Sequence, residues 1–351
     1  MMNWKKPTSV HDFPDYLREI AQCSGALDAA CTTPAFFDAS PLAVTFETWI
    51  EHGNGECLPY IHKNCELRKS PFKSRPWASA AVVVVFQNNW CTEPRPAPSG
   101  LPLAIPGAPS GRIAAYAAGP DYHRTGHQIL ENIARELDPK AEFQHEIAVD
   151  TAPVPDTFMG IATGLGRRGA NGLLRTSQFA SRVFVGTLFT AQPLPPAIRT
   201  PDHPVPVCTD CQNCVKSCPT GALNPKIPIT VARCRSFLTM EYRGAFDAEK
   251  IRLLGDALFG CDACTSVCPP QPVTDSGEDI DLLALLKMPS NQIKRIIQGS
   301  ALAYAGPTLL KRNAIANLAN SGHPDARNAI CELRKSTNSD ILARTADAAQ
   351  S

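Results

Sequence analysis

The sequence predicts a chain of three segments: a mixed α/β (α+β) domain over residues 1–195, a cysteine-rich module over residues 196–275 and a helical tail over residues 276–351. Three observations support this division. Apolar runs rich in β-branched residues alternate with helical periodicity in the first segment, eight cysteines lie close together in the second, and the third has a helix-turn-helix pattern. A length of 351 residues also suits two or three domains.

The first segment contains three predicted strands and one predicted helix. The continuous apolar run at residues 80–86 is typical of a strand that is buried on both faces. Residues 121–137 have helical periodicity with one apolar face, and residues 147–150 and 182–188 are predicted to be further strands. Strands that alternate with a helix indicate an α/β layer structure.

The cysteine-rich module carries the most specific signal in the chain. Its first run has the spacing C-x2-C-x2-C-x3-C-P, its second has the spacing C-x2-C-x3-C-P, and one cysteine stands between them. Eight thiolates supply two [4Fe-4S] clusters, and in two-cluster ferredoxins the last cysteine of a run ligates the other cluster. One predicted cluster of this ferredoxin-like module is therefore bound by Cys208, Cys211, Cys214 and Cys268. The other is bound by Cys261, Cys264, Cys218 and Cys234.

Zinc and disulfides are the alternative uses of these cysteines. Paired C-x2-C spacing also occurs in zinc sites, but a third cysteine at the same interval and a Cys-Pro fourth are not typical of zinc ribbons. Disulfides need an oxidising compartment, and the N-terminal residues show neither an apolar signal segment nor a twin arginine. We therefore expect a cytoplasmic protein with reduced thiols and no membrane span. The other six cysteines lack metal-binding spacing and are predicted to be ordinary thiols.

The last segment is predicted to be helical. Residues 309–318 and 326–333 have helical periodicity, and Gly322-His-Pro324 separates them. This pattern resembles a HEAT-type repeat, and one pair is too short for a free solenoid, so it is expected to pack on the rest of the chain. A net charge of +1 excludes a strongly basic nucleic-acid binder but is compatible with a local basic patch.

Two short motifs in the first segment give weak signals for a cofactor site. Gly164, Gly166 and Gly169 match a G-x-G-x-x-G pattern, but no predicted strand directly precedes them, so a glycine-rich turn near a cofactor is favoured over a dinucleotide loop. Asp121 and His123 begin a D-x-H-x-x-G pattern, in which the histidine ligates cobalt in some cobalamin proteins. So short a pattern also arises by chance.

Asp150 follows the apolar run at residues 147–149. An aspartate at the end of a strand is most often a turn or capping residue. Ligands of α/β folds also bind at strand ends, and a carboxyl that faces a desolvated pocket has the raised pKa that a proton donor needs. The residues alone leave both roles open.

Several segments, in order along the chain, resemble the epoxyqueuosine reductase family, the cobalamin- and iron-sulfur-dependent enzymes that complete queuosine in tRNA. The similarity extends from about residue 53 to residue 333 and is strongest in the cysteine-rich module, where the intervals between cysteines also match. The matching segments are residues 111–123, 149–153, 164–169, 218–223, 233–239 and 259–264.

The resemblance implies an N-terminal domain related to flavin-reductase-like and reductive-dehalogenase folds that binds cobalamin base-off. Electrons would pass through the clusters to cobalt, and Asp150 would donate the proton with which the oxygen leaves as water. Base-off binding implies that His123 lines the pocket without ligating cobalt. The residues implied to contact the cofactor are Tyr116, Asp121, His123, Asp150, Gly166, Gly169 and Asp262. The implied partners are tRNA, through its anticodon region, and a reductant protein such as a flavodoxin or ferredoxin, and a monomer is expected.

The chain departs from the family motifs at several positions near the implied pocket. Ala115 stands where the family has an arginine, and Asp156 lies where the family has Leu-Glu-Arg. Arg167 and Ala170 replace a tryptophan and a lysine. These changes bear on substrate recognition and leave the cluster chemistry intact.

Three functions therefore compete. The first is reduction of epoxyqueuosine in tRNA, which needs an extruded nucleoside and basic residues that contact phosphates. The second is cobalamin-dependent reduction of a small molecule such as a halogenated or epoxide compound, which the substituted pocket residues favour. The third is electron transfer by a protein without a substrate of its own. The candidate phosphate contacts are Arg167, Arg168, Arg175, Arg182, Lys311 and Arg312.

Overall fold

A computed structural model describes residues 12–38, 47–87, 100–199, 208, 210–226, 229–269 and 277–350. The chain divides into two compact units. Unit 1 comprises Met1–Asn88, His123–Gln212 and Cys268–Gln271, and unit 2 comprises Asn89–Tyr122, Asn213–Val267 and Pro272–Ser351. This division differs from the three predicted segments, because a strand from the first segment pairs with strands that lie much later in the chain.

The elements are numbered here in chain order. The strands are β1 (Asp28–Thr32), β2 (Ala80–Phe86), β3 (Ser110–Ile113), β4 (His145–Ala148), β5 (Arg167–Arg168), β6 (Leu174–Arg175), β7 (Phe184–Thr190), β8 (Ala257–Phe259) and β9 (Glu278–Asp281). The helices of the first half are α1 (Phe13–Cys23), α2 (Pro34–Asp38), α3 (Gly55–Cys57), α4 (Pro59–Lys63), α5 (Cys65–Lys69), α6 (Tyr122–Leu137) and α7 (Asp156–Ala162). Those of the second half are α8 (Asn213–Ser217), α9 (Arg235–Met240), α10 (Ala248–Leu254), α11 (Ala263–Ser266), α12 (Leu282–Lys287), α13 (Ser290–Ile296), α14 (Gly306–Ser321), α15 (Ala326–Ser336) and α16 (Asp340–Ala348). A π-helical turn at Ile50–Asn54 and short 3-10 turns at Ala115–Ala117, Val231–Arg233 and Ala301–Tyr304 complete the regular structure of the described residues.

Unit 1 is built around a four-stranded sheet of order β1-β2-β7-β4. Every residue of β2 is buried, as its continuous apolar sequence predicts. All neighbouring strands of this sheet are antiparallel. The described part of unit 1 is therefore α+β in character, without the parallel sheet that regular strand-helix alternation favours. The predicted strands at 147–150 and 182–188 are present as β4 and β7, each displaced by two residues.

Helix α6 packs directly on the sheet of unit 1. It buries Ile129, Leu130 and Ile133, as its periodicity predicts. Its close approach depends on glycine, because a Cβ at Gly126 would lie 2.6 Å from the Phe86 ring. A second aliphatic and aromatic core includes Phe72, Met159 and Phe189.

Unit 2 contains a three-stranded sheet of order β8-β3-β9, in which β3 is parallel to β8 and antiparallel to β9. Helix α14 packs against this sheet and is buried over most of its length. The two predicted tail helices are present as α14 and α15. No helix in the described part of the chain is long and apolar enough to cross a membrane.

Candidate active site and cluster-binding cysteines

The cysteines predicted to bind the second cluster interact with one another in unit 2. Burial raises the pKa of the Cys264 thiol, and Cys261, Cys234, Cys214 and Cys218 raise it further. Burial also raises the pKa of Cys261 to about 11, with an added contribution from Cys234. Thiols packed together in this way deprotonate only when a cationic centre offsets their charge, which iron does when it binds them. The donor set therefore fits a [4Fe-4S] cluster.

Cys218 has a different environment from its neighbours. Burial raises its pKa, but hydrogen bonds from the Thr220 hydroxyl and from the amides of Leu223, Thr220 and Ala222 outweigh that effect, and the net pKa is lowered. The Thr220 Oγ1 lies 3.6 Å from the Cys218 sulfur. Hydrogen bonds to a thiolate sulfur are one of the means by which a protein tunes a cluster. Thr220 was not among the residues predicted from the sequence, although its position just after Cys-Pro was a usable signal.

The cysteines predicted for the first cluster divide between the two units. Cys208, Cys211 and Cys268 belong to unit 1 and Cys214 belongs to unit 2, and their common ligation stays a prediction. The Cys268 sulfur lies 3.7 Å from the Ser181 Oγ. Among the described residues, no three ligating side chains lie close enough together to bind a single metal ion. A cubane cluster binds its four ligands at separate corners, so its cysteines need not lie that close together.

The segment that contains Tyr116 is tied to the second cysteine run within unit 2. The Asp262 Oδ2 accepts a hydrogen bond of 2.6 Å from the Ala115 amide, and the Tyr116 hydroxyl lies 3.0 Å from the Met240 sulfur. Gly260 has a φ of +70°, and a Cβ there would lie 2.8 Å from the Tyr116 ring. Asp262 therefore links a predicted cofactor-binding segment to the cluster loop. Asp121 lies in the same unit, where its amide donates to the Gly299 carbonyl.

Asp150 occupies a strained turn just after β4. Its φ is +59°, in the left-handed region that residues other than glycine adopt uncommonly. The side chain is 61% exposed, and its Oδ2 lies 3.7 Å from the His123 Nε2. Strained backbone of this kind is concentrated at functional sites, where the surrounding structure holds it in place. The geometry presents a carboxyl to solvent beside an imidazole, and the role of Asp150 as a proton donor stays a prediction.

Asp156, at the start of α7, is the second carboxyl of this site. Its Oδ1 is buried without a hydrogen-bond partner in the described structure, and its carboxyl accepts a hydrogen bond from the Asp150 amide. Burial and then the charge of Asp150 raise its pKa well above the ordinary value, and Arg68 and His123 offset only part of the effect. In sequence, Asp156 was only a departure from the family pattern. Its contact with the Asp150 turn was not predictable from spacing.

Gly166 and Gly169, predicted to contact a cofactor, have a local packing role. A Cβ at Gly166 would lie 2.5 Å from the Arg175 carbonyl oxygen, and one at Gly169 would lie 2.5 Å from the Asn171 Oδ1. Both contacts belong to the hairpin of β5 and β6. The glycine pattern follows a helix and enters a hairpin, so the strand-to-helix context of a dinucleotide loop is absent from this described segment. A cofactor contact at these glycines stays a prediction.

The predicted phosphate contacts need correction. Arg175, Arg182, Lys311 and Arg312 are buried, the last completely. A buried guanidinium or ammonium group cannot reach a nucleic-acid backbone, so these four assignments were wrong. Arg167 and Arg168 are exposed and stay candidates.

Two family models match segments of this chain. A family model described as "Epoxyqueuosine reductase QueG, DUF1730" matches residues 68–151, and one described as "4Fe-4S double cluster binding domain" matches residues 207–271. The first match includes β2, β3 and Asp150, and the second includes all eight cluster cysteines.

Similar proteins carry the same name. An epoxyqueuosine reductase from Burkholderia pseudomallei is 31% identical over 62% of this chain and 59% of its own length. One from Francisella cf. novicida is 27% identical over 90% of this chain and 89% of its own length. The structure of epoxyqueuosine reductase from Streptococcus thermophilus superimposes with a TM-score of 0.79 at 25% identity, covering 95% of this chain and 88% of that one. A crystal structure of epoxyqueuosine reductase with an epoxyqueuosine-modified tRNA-Tyr stem loop gives a TM-score of 0.78 at 24% identity, over 97% of this chain and 90% of that one.

The family models, the similar sequences and the similar structures point to the same group of proteins. The two models together match the turn of Asp150 and the cysteine module, and the relatives extend the match over most of the chain. Over most of its length the chain is similar to epoxyqueuosine reductases.

Proposed function

We propose that this chain reduces the epoxide of epoxyqueuosine in tRNA to the alkene of queuosine. The conversion consumes two electrons and two protons and releases the epoxide oxygen as water. The main structural support is the Asp150 turn. Its strained backbone presents an exposed carboxyl, and it lies in the segment that matches the family model. The structure of a relative with an epoxyqueuosine-modified tRNA stem loop supports tRNA as the substrate.

Two [4Fe-4S] clusters and base-off cobalamin are the proposed cofactors. Cobalamin, when bound, supplies reductive chemistry at carbon, and the clusters supply its electrons one at a time from a flavodoxin or ferredoxin. The half-buried, mutually interacting cysteines of unit 2 support the cluster part of the proposal. The His123 Nε2 faces the Asp150 carboxyl, which fits a cobalamin that takes no ligand from this histidine.

The residues of this chain handle the protons. Asp150 donates a proton to the departing oxygen, and His123 holds the carboxyl toward the site from 3.7 Å. Asp156 accepts the hydrogen bond of the Asp150 amide and thereby stabilises the left-handed turn. Its own negative charge is disfavoured beside Asp150, so the pair carries a proton more readily than two isolated aspartates would.

The test is anaerobic reconstitution with iron, sulfide and cobalamin, followed by reduction and incubation with epoxyqueuosine-containing tRNA. Nucleosides are then quantified by mass spectrometry. We expect queuosine from the wild type and a loss of about 10²–10⁴-fold in Asp150→Asn, because a positioned general acid contributes that much. Asparagine tolerates the left-handed backbone, so the variant should keep its clusters. Asp340→Asn, at a side chain that is 78% exposed in unit 2, is the matched control.

A small-molecule substrate is the second candidate function. The replacement of the family's tryptophan and lysine by Arg167 and Ala170 favours it, because both positions lie in the segment implied to approach the cofactor. Cobalamin binding with intact clusters but without queuosine would select this alternative. Intact clusters without cobalamin binding would instead indicate an electron carrier.

A further inference from the structure

Arg312 is a buried cation without an acidic partner in the described structure. It lies in α14 and has no exposed surface, and no salt bridge to a described carboxylate involves it. Burial lowers its pKa to about 9, so the guanidinium is still protonated at neutral pH. A charge removed from water without a counter-charge costs several kcal/mol, and such a group needs compensation from its surroundings.

The partners of Arg312 within the protein are dipoles. Its Nη2 donates to the Leu238 carbonyl at 2.7 Å, and its Nη1 donates to the Gly244 carbonyl at 2.9 Å and to the Tyr242 carbonyl. Its guanidinium carbon also lies 3.9 Å from the centre of the Phe246 ring. The Asn313 Oδ1 also accepts from the Arg312 Nε and Nη2, at 3.1 and 2.8 Å. These oxygens satisfy the hydrogen-bonding capacity of the group, but neither they nor the ring carry a net negative charge.

These contacts hold the segment that begins at a cluster cysteine. Helix α9 follows Cys234 directly, and the Leu238 amide donates to the Cys234 carbonyl at 2.9 Å. The carbonyl of the same Leu238 receives the Arg312 hydrogen bond. Arg312 is therefore connected through one turn of helix to a predicted ligand of the second cluster.

Asn313, the next residue of α14, connects the same helix to the other cysteine run. Its Nδ2 donates to the Thr239 carbonyl at 3.0 Å and to the Leu258 carbonyl at 2.9 Å. The Thr239 hydroxyl in turn accepts the Gly260 amide at 3.0 Å, and Gly260 immediately precedes Cys261. Arg312 and Asn313 together contact two of the three chain segments that carry the predicted ligands of the second cluster.

A cluster bound by the cysteines of these segments would supply a compensating charge for Arg312. A cubane with four thiolate ligands is a net anion, and it gains another negative charge when it is reduced. A fixed cation in the same low-dielectric interior favours the more negative state, because Coulomb energies there are weakly screened. The interaction therefore strengthens on reduction.

We propose that Arg312 is the counter-cation and positioning residue of the cluster bound by Cys218, Cys234, Cys261 and Cys264, and that it raises the reduction potential of that cluster. The inference rests on the two-cluster part of the proposed function. It does not depend on the identity of the final substrate.

The test is a potentiometric titration of the reconstituted full-length protein, followed by electron paramagnetic resonance, with iron and sulfide content measured in parallel. In Arg312→Met, we expect the midpoint potential of one of the two clusters to fall by about 59 mV or more, which is a tenfold loss in the reduction equilibrium of a one-electron couple. Arg312→Lys keeps the positive charge, so the midpoint potential of that cluster should stay close to the wild-type value.

Lys311→Met is the matched control. Lys311 is also buried in α14, but its Nζ donates to the Leu286 carbonyl in α12, which carries no cluster cysteine. This variant should be less stable than the wild type while both midpoint potentials stay unchanged. If a midpoint potential shifted as much in Lys311→Met as in Arg312→Met, any buried substitution in the helix would disturb the cluster. The proposal would then fail.

Two further outcomes overturn the proposal. One is Arg312→Met with full iron content and both midpoints equal to those of the wild type. If Arg312→Met does not fold, Arg312→Gln, which keeps hydrogen-bond donors without the charge, takes its place: a fall of one midpoint by about 59 mV supports the proposal, and two midpoints equal to those of the wild type contradict it. Since none of these readouts uses tRNA, they are independent of whether the protein makes queuosine.

Discussion

Replacement of Asp156 by asparagine should change how the stability of the protein depends on pH. The pKa of Asp156 is raised well above its ordinary value of 3.8, chiefly by burial and next by the charge of Asp150. The native state therefore retains a proton that the unfolded state releases. The resulting contribution to stability is complete below the ordinary pKa and is lost as the pH rises to the raised pKa of the folded state.

The magnitude follows from proton linkage. Over the pH range in which the native state holds one more proton than the unfolded state, the free energy of unfolding falls by about 1.4 kcal/mol per pH unit. The asparagine of the variant would carry no titrating group, yet its side-chain oxygen could still accept the Asp150 amide. The free energy of unfolding of Asp156→Asn, relative to that of the wild type, should therefore increase with pH by up to about 1.4 kcal/mol per pH unit.

Urea unfolding of the reconstituted protein, followed by circular dichroism at several pH values from about 5.5 to 8, measures this difference. Asp150→Asn is the matched comparison. Removal of the neighbouring charge lowers the pKa of Asp156, so the free energy of unfolding falls with pH over a narrower pH range. A stability difference between Asp156→Asn and the wild type that is the same at every pH would refute the reasoning.

Three other predictions concern separate parts of the chain. Gly260→Ala should reduce the free energy of unfolding by at least about 1 kcal/mol in urea, because alanine disfavours the φ of +70° and its Cβ would lie 2.8 Å from Ala114; no loss of stability would contradict this account. Burial raises the pKa of Glu278 to about 7, against a lowering effect of Arg112, so the wild type loses stability as the pH rises from about 4.5 to 7. Glu278→Gln should remove that loss, and melting temperatures that respond identically to pH in both proteins would argue against it. Cys264→Ser should remove about half of the bound iron while the other cluster's spectrum persists, and full iron content would exclude Cys264 as a ligand.

Local patterns made much of the fold predictable. The run at 80–86 specified β2 to the residue, because an unbroken β-branched sequence has few alternatives to a strand buried on both faces. The periodicity at 121–137 located α6 within one residue. The end of β4 was placed two residues too late, since the sequence does not reveal that Asp150 adopts a left-handed conformation, which ends the strand.

Contacts between distant parts of the chain were not predictable. Arg312 was assigned to the surface because arginine is usually exposed, whereas its partner Leu238 lies 74 residues away. One usable signal was overlooked: Arg312, Asn313, Asn317 and Asn320 are polar residues in a helix that is otherwise rich in alanine, leucine and isoleucine. The predicted role of Asp150 depended on family resemblance, since aspartates at strand ends are common in turns.

The pairing of β3 has a consequence for synthesis on the ribosome. Both partners of β3, the strands β8 and β9, are encoded far downstream. At typical rates of synthesis, the ~170 residues that separate β3 from β9 take on the order of 10–30 s to emerge. Throughout that interval β3 has exposed edges that invite pairing with another chain. Slower translation through this stretch should therefore lower the yield of functional protein, and a chaperone that shields the nascent chain should restore it.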